Sequence, residues 1–272
     1  MLRGKKIAII GAGKLGEALV TGLLHRADVS REDITGTVGH EASLTRVSNR
    51  LGIGTTLDNR LAVEGRDVIL LAVKPQNMDR VLAEIRPVVN RTQLFISVAA
   101  SVTTSFIEER LPAETPVIRV MPNTPALLNE GMSVLCQGKH VTPDQLKIAE
   151  TIFSAVGRTA FLDEKLMDAV TGLSGSGPAY IYVVIESLAE AGVKLGIPRD
   201  ISTLLVAQTM LGASRMALET GQHPALLKDS VTTPAGCTID GLLELEEGKL
   251  RVTLIKAVVK AAERARELVR TE

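Results

Sequence analysis

The stretch Ile7-Ala8-Ile9-Ile10-Gly11-Ala12-Gly13-Lys14-Leu15-Gly16 decides the fold. Apolar residues of strand character run straight into G-x-G-x-x-G, and a helical pattern opens at Lys14 and continues to Arg26. In that setting each glycine has a separate reason. Gly11 permits the tight turn, Gly13 lets the backbone approach a pyrophosphate, and Gly16 allows close helix–strand packing. Helix amides and the helix dipole then face the phosphates. Gly11, Ala12, Gly13, Lys14, Leu15 and Gly16 are therefore expected to hold a dinucleotide. The competing reading, a bland turn, leaves the flanking strand and helix unexplained.

Outward from that turn, Val- and Ile-rich runs alternate with helical patterns up to residue 162. The runs cover 5–10, 34–38, 67–73, 93–98, 116–121 and, more weakly, 132–136 and 158–162. Their near-continuous apolarity suits strands covered on both faces. Helices are expected over 14–26, 41–51, 78–89, 103–111 and 142–155. The last has a clear start, with Thr142 as N-cap, Pro143 at the first helical position and Gln145 completing a capping box. The alternation reads as an α/β, Rossmann-like doubly wound parallel sheet over residues 1–162.

From Asp163 the strand texture ends, and helices are expected over 164–171, 179–195, 199–220, 225–229, 238–246 and 249–270. Pro198 and Pro224 sit at starts, Gly221 and Gly248 at stops. The segment 179–195 is apolar around most of its circumference, which implies burial on several sides, including against a second protomer. Residues 163–272 read as an all-α domain with an association surface.

Composition narrows the function. The chain has 272 residues, 31 Lys plus Arg against 31 Asp plus Glu, and so no excess of cations to drive binding to nucleic acid or an anionic membrane. Six aromatic residues supply little for base stacking. Two cysteines, Cys136 and Cys237, are too few for a disulfide framework and suit a reducing cytoplasm. Four dispersed histidines argue against a metal site. No secretory signal is read at the N-terminus, and no run is expected to span a membrane.

Further candidates lie at strand ends, where open α/β sheets take ligands. The second run ends Thr37-Val38-Gly39-His40-Glu41 with no acid at its tip, so Thr37, His40, Ser43 and Arg46 are candidates to accommodate a 2′-phosphate, which favours NADPH; Glu41 leaves NADH open. Ala72-Val73-Lys74-Pro75 and Met121-Pro122-Asn123 are proline-stiffened loops suited to a nicotinamide carboxamide, or plain turns. In the helical half, Leu173-Ser174-Gly175-Ser176-Gly177-Pro178 permits close backbone approach to a helix or to a cofactor ring. The run Asp229-Ser230-Val231-Thr232-Thr233-Pro234-Ala235-Gly236-Cys237-Thr238 leads into a helix, whose free amides with the hydroxyls of Thr232 and Thr233 form a site for a small carboxylate. Simple N-capping by Thr238 is the alternative.

These last two motifs, 168–180 and 224–245, carry a resemblance to the pyrroline-5-carboxylate reductase family that runs from the glycine turn to the final helix. The resemblance implies NAD(P)H-dependent reduction of a cyclic imine to L-proline, the last step of proline biosynthesis, by a homodimer, sometimes assembled as five dimers. It places Thr238 beside the ring nitrogen as the catalytic hydrogen-bond donor, and Ser230, Thr232, Thr233, Gly236 and Cys237 around the substrate. Glu164 is placed near the substrate and Asn59 near the cofactor. Ser230 stands where relatives often have asparagine, Thr233 where they have serine, and Ala235 where they have glycine. A subset of relatives ends the second strand Thr-Val-Arg-Arg, where this chain has Thr37-Val38-Gly39-His40. A β-hydroxyacid dehydrogenase is disfavoured because the position of its catalytic lysine is Ile181. A dinucleotide sensor without activity is the remaining alternative.

Overall fold

A computed structural model describes residues 2–270. The strands are β1 (Ile7–Ile10), β2 (Ile34–Thr37), β3 (Gly54–Thr56), β4 (Val68–Leu71), β5 (Leu94–Ser97), β6 (Val117–Met121), β7 (Gly131–Gln137) and β8 (Gly157–Phe161). They form one sheet in the order β3-β2-β1-β4-β5-β6-β7-β8, so the winding reverses between β1 and β4. Helices α1 (Lys14–Arg26), α2 (Glu41–Leu51), α3 (Asn59–Val63), α4 (Met78–Ile85), α5 (Thr104–Glu108) and α6 (Pro143–Ser154) connect them.

Strand alternation explains the continuous apolar runs. Ile7 and Ile9 point into a core with Leu19, Leu23 and Phe153, while Ala8 and Ile10 point into another with Leu82 and Ile107. Both faces are therefore buried, as a parallel sheet requires. The capping box of α6 forms as expected between Thr142 and Gln145.

Two features differ from the sequence reading. β3 and α3 are too short to show as periodic runs; their signals are Gly52, in the left-handed region at φ 67°, and Asp58, whose side chain accepts from the amides of Arg60 and Leu61. The sheet is also not wholly parallel. β7 pairs antiparallel with β6, and β8 is parallel to β7. The connection from Met121 to Gly131 holds only a tight turn at Thr124–Leu128, too short for the crossover a parallel neighbour needs.

Because β8 runs against β1–β6, it ends at the edge opposite the glycine turn. Residues 164–175 then return along the sheet as a tight turn (Glu164–Leu166), α7 (Met167–Val170) and a π-turn (Thr171–Gly175). Met167 and Val170 bury against Val134 and Cys136, and Gly175 reaches Met121, whose Cε lies 2.5 Å from where a Cβ would be. This packing joins residues 164–175 to the sheet. One compact unit comprises residues up to Ser176 together with those from Ala261, and the other is Gly177–Lys260.

The remaining helices are α8 (Gly177–Lys194), α9 (Arg199–Thr220), α10 (Pro224–Ser230), α11 (Cys237–Glu247) and α12 (Leu250–Arg270). Within the protomer α8 buries only Ala189, leaving Ile181, Tyr182, Val183 and Leu188 exposed. α9 is, by length and composition, apolar enough to cross a membrane, contrary to the sequence expectation, and only 6% of its most apolar window is buried.

Phe95 lies on β5 with no exposed surface. Phe95→Ala is expected to lower stability by about 3–5 kcal/mol, read as a reduced urea midpoint with unchanged slope.

Candidate active site

The glycine turn is closed on two sides and open on the third. Gly11 has φ +91°, and a Cβ there would sit 2.9 Å from the carbonyl of Ala72. At Gly16 a Cβ would sit 2.9 Å from the carbonyl of Gly11. Gly13 differs, since a Cβ would meet nothing within 4 Å. Gly13 is also the N-cap of α1, and no side chain caps that helix. Open space beside uncapped helix amides is what a pyrophosphate requires, so the turn fits a dinucleotide.

Thr37 clamps the turn from β2. Its hydroxyl accepts from the amide of Gly11 at 3.0 Å, and its carbonyl accepts from Ala12 at 2.7 Å. Of the four residues expected around a 2′-phosphate, Thr37 is buried and its hydroxyl accepts from Gly11, although it still borders the cavity. His40, Ser43 and Arg46 do line the cavity of about 610 Å³ that opens over Gly11, Ala12 and Gly13. Ala72, Val73 and Lys74 form another wall, and Asn59 joins from α3, donating to Glu84 at 2.9 Å. Asn77, Arg80 and Glu84 complete the lining and were missed from sequence. Their spacing places them on one face of the turn leading into α4, which reads in isolation as an ordinary solvated face.

Pro75 starts the tight turn Pro75–Asn77 rather than facing the cavity. Lys14, Leu15 and Asn123 instead line a second, mostly apolar cavity of about 320 Å³ with Met121, Pro122 and Gly175. Asn123 also acts as a staple. Its Nδ2 donates to the carbonyl of Ser174 in the π-turn at 3.2 Å, and its Oδ1 accepts from Met132 at 2.9 Å.

Glu164 is committed within this unit. Its oxygens accept from the amide and hydroxyl of Thr104 at 2.8 and 2.7 Å, and Arg119 lies 3.4 Å away. Arg119 is buried in β6, between Glu164 and Asp168. Burial, reinforced by the charge of Glu164, pushes the thiol of neighbouring Cys136 up to about 12.

In the second unit the hydroxyl-rich run is ordered by its own contacts. Ser230 donates to the carbonyl of Leu227 at 2.7 Å, and Thr232 donates to that of Lys228 at 2.9 Å. Ala235 takes φ 58°, and Gly236 leaves no room for a side chain beneath the hydroxyl of Thr233. α11 starts at Cys237, with Gly236 as N-cap and no side-chain cap. Thr238 is therefore not the cap but a half-buried residue of the first turn. Cys237 precedes it and is exposed.

Thr37→Val leaves the Gly11 amide without its acceptor, at a cost of about 1–3 kcal/mol. Weaker adenine dinucleotide affinity in calorimetry, with the far-UV spectrum intact, is the expected outcome; unchanged affinity would show that the turn is held without Thr37. Cys136 is expected to resist thiol reagents at pH 8 until the protein is denatured. An unfolded thiol ionises near 9 while the folded one keeps its proton to about 12, so stability from this group is lost as pH rises across that window.

Residues 164–268 match the family model described as pyrroline-5-carboxylate reductase dimerisation, and residues 6–101 match one described as NADP oxidoreductase coenzyme F420-dependent. The chain is 46% identical to a pyrroline-5-carboxylate reductase of Methanosarcina acetivorans, covering 98% of this chain and 99% of that one. It is similar to the solved structure of a pyrroline-5-carboxylate reductase from Coxiella burnetii, with TM-score 0.91 and 38% identity over 97% of this chain and 98% of that one. A Plasmodium falciparum pyrroline carboxylate reductase solved with NADP bound gives TM-score 0.88 and 32% identity over 98% and 99% of the two chains. With relatives of this identity aligned over nearly their whole length, the chain belongs to the pyrroline-5-carboxylate reductase family.

Proposed function

We propose that this chain reduces the C=N bond of 1-pyrroline-5-carboxylate to give L-proline, with NADPH as its reductant and NADH as the alternative. The observation that carries the reading is the open, uncapped glycine turn in a chain aligned with reductases of this family over nearly its full length.

The bound dinucleotide supplies a hydride. The amides at the start of α1 would hold its pyrophosphate, in a turn that Thr37 keeps in shape. Lys74 and Asn59 contact its ribose or phosphate from the cavity wall. Residues 232–238 grip the substrate carboxylate through the amides that open α11. Thr238 donates a hydrogen bond at the ring nitrogen. Hydride addition to the imine carbon would leave the electron pair of the broken π bond on the nitrogen, and a proton from solvent water would complete the secondary amine. Glu164 orders Thr104 and Arg119 through its carboxylate oxygens and contributes negative charge that favours a protonated ring nitrogen.

The working unit is a homodimer. Leu204, Leu205 and Leu211 on α9, Leu243 on α11 and Ile255 on α12 are exposed large apolar residues, more than a lone soluble protomer carries comfortably. A second copy covering these helices explains why α9 is so apolar without a membrane. Five dimers in a ring is a further assembly to be read from the solution mass. The two free cysteines, Cys136 and Cys237, support the reading of a reducing, cytoplasmic setting.

Adding 1-pyrroline-5-carboxylate to protein and NADPH or NADH is expected to oxidise the nicotinamide, followed by its absorbance. No oxidation with either nucleotide, while both bind, would leave a dinucleotide sensor. Thr238→Ala is expected to reduce turnover by about tenfold to a thousandfold with folding unchanged. Wild-type rates would remove Thr238 from the mechanism.

A further inference from the structure

Glu17 is a buried carboxylate one residue beyond the last glycine of the turn, only 6% exposed. Its Oε1 accepts from Arg46 Nη1 at 2.9 Å, and its Oε2 lies 2.8 Å from Arg50 Nη1. Both arginines come from α2, one helical turn apart, and both side chains are more than half exposed. An exposed arginine needs no buried counter-charge for its own solvation, whereas a buried carboxylate needs pairing to exist there. The arrangement therefore matters for where it puts the guanidinium groups. With both oxygens taken, the carboxylate cannot swing, and Arg46 engages it through Nη1 alone. Glu17, Arg46 and Arg50 together carry one net positive charge.

Arg46 lines the same cavity as Gly11 and Gly13, and its neighbours in that wall include Ser43 and His40. The tip of β2 carries no acid, and the space beside Gly39 is open, since a Cβ there would meet nothing within 4 Å. On a dinucleotide whose pyrophosphate sits at the glycine turn, the adenosine ribose falls at the end of the second strand. An acid there selects a free 2′-hydroxyl, and an arginine accommodates a 2′-phosphate.

We propose that Glu17 is a specificity-determining positioning residue: it holds Arg46 in the cavity wall so that Arg46, with Ser43 and His40, receives the phosphate monoester on the adenosine ribose of an NADP-type dinucleotide. Arg50 is the second arm that fixes the plane of the carboxylate. The inference rests on the pyridine-dinucleotide reading given under the proposed function and specifies the part of the ligand that this corner selects.

The test measures binding without turnover, by calorimetry on the purified full-length protein with 2′,5′-ADP, 5′-ADP, NADPH and NADH. The wild-type protein is expected to bind 2′,5′-ADP about tenfold or more tighter than 5′-ADP, with the difference shrinking at high salt. Arg46→Ala should bring the two probes within about twofold while leaving 5′-ADP affinity in place. Glu17→Gln, which keeps the side-chain shape, should narrow the preference severalfold with Arg46 still present, and Glu17→Asp should restore part of it. A rise in 2′,5′-ADP affinity in Glu17→Gln would show that Glu17 competes with the phosphate and would overturn the positioning role. Where Glu17→Gln fails to fold by thermal melt, the exposed Arg46→Ala decides, and an unchanged preference there overturns the proposal. Equal binding of both probes by a wild-type protein that still binds NADH overturns this inference alone. Absence of binding by all four ligands overturns the dinucleotide reading with it.

Discussion

There is no room for a side chain where β1 turns into α1. At position 11 a Cβ would press on the carbonyl of Ala72, and at position 16 on the carbonyl of Gly11 itself. The turn is therefore held by contact on both flanks and by two hydrogen bonds that Thr37 accepts, its hydroxyl from the amide of Gly11 and its carbonyl from the amide of Ala12. Everything on the nucleotide side follows from that closure. With two glycines wedged against neighbours, the third faces empty space, and no side chain caps the amides that open α1. Binding energy for a polyanion is stored in the fold before any ligand arrives, so little ordering entropy opposes binding.

Two buried ion clusters flank this frame and do different work. Around Glu17, the carboxylate is buried and the arginines reach out, so the cluster presents charge to a cavity. Around Arg119 the order is inverted: the guanidinium is 3% exposed, and Glu164 and Asp168 surround it, with Arg266 of α12 beyond Asp168 at 3.8 Å. Buried ion pairs of this kind gain little net stability once desolvation is counted. Their value is in placement. The Arg119 cluster, with the hydrogen bond from Ser101 to the carbonyl of Ala265, ties the end of the chain and the segment after β8 to the same sheet.

The parts legible in the sequence are those where local pattern and tertiary environment agree. Helices α1 and α2 begin and end at the residues expected, because an apolar stripe, a start and a stop coincide there. The elements β3 and α3 escaped because both are short; β3 is set by pairing with β2 and α3 by the cap at Asp58. The antiparallel β7 escaped because strand direction is not written in apolarity, only in the length of the connection before it. In the site, the glycine turn and the loop at 72–74 were legible, whereas Asn77, Arg80 and Glu84 were hidden among polar residues of a solvated helix. Arg119 was hidden differently, as a single charge within Val117-Ile118-Arg119-Val120, and a lone cation in so apolar a strand is itself the signal that could have found it. Thr238, read as a possible cap, proves to lie inside the helix because Gly236 takes that position.

The reversal of β7 has a consequence for how this chain tolerates change in length. By sending β8 away from the nucleotide edge, it obliges residues 164–175 to travel back as one nearly continuous helical rod. Such a rod keeps rotational register along its whole run, and each added or lost residue would swing every later side chain by about 100°. The π-turn at Thr171–Gly175 is the place where such an extra residue is already accommodated, and the carbonyl of Ser174 within it accepts from Asn123. Length variation among chains of this design should therefore collect at that bulge or in the surface loops, and be excluded from the rod between.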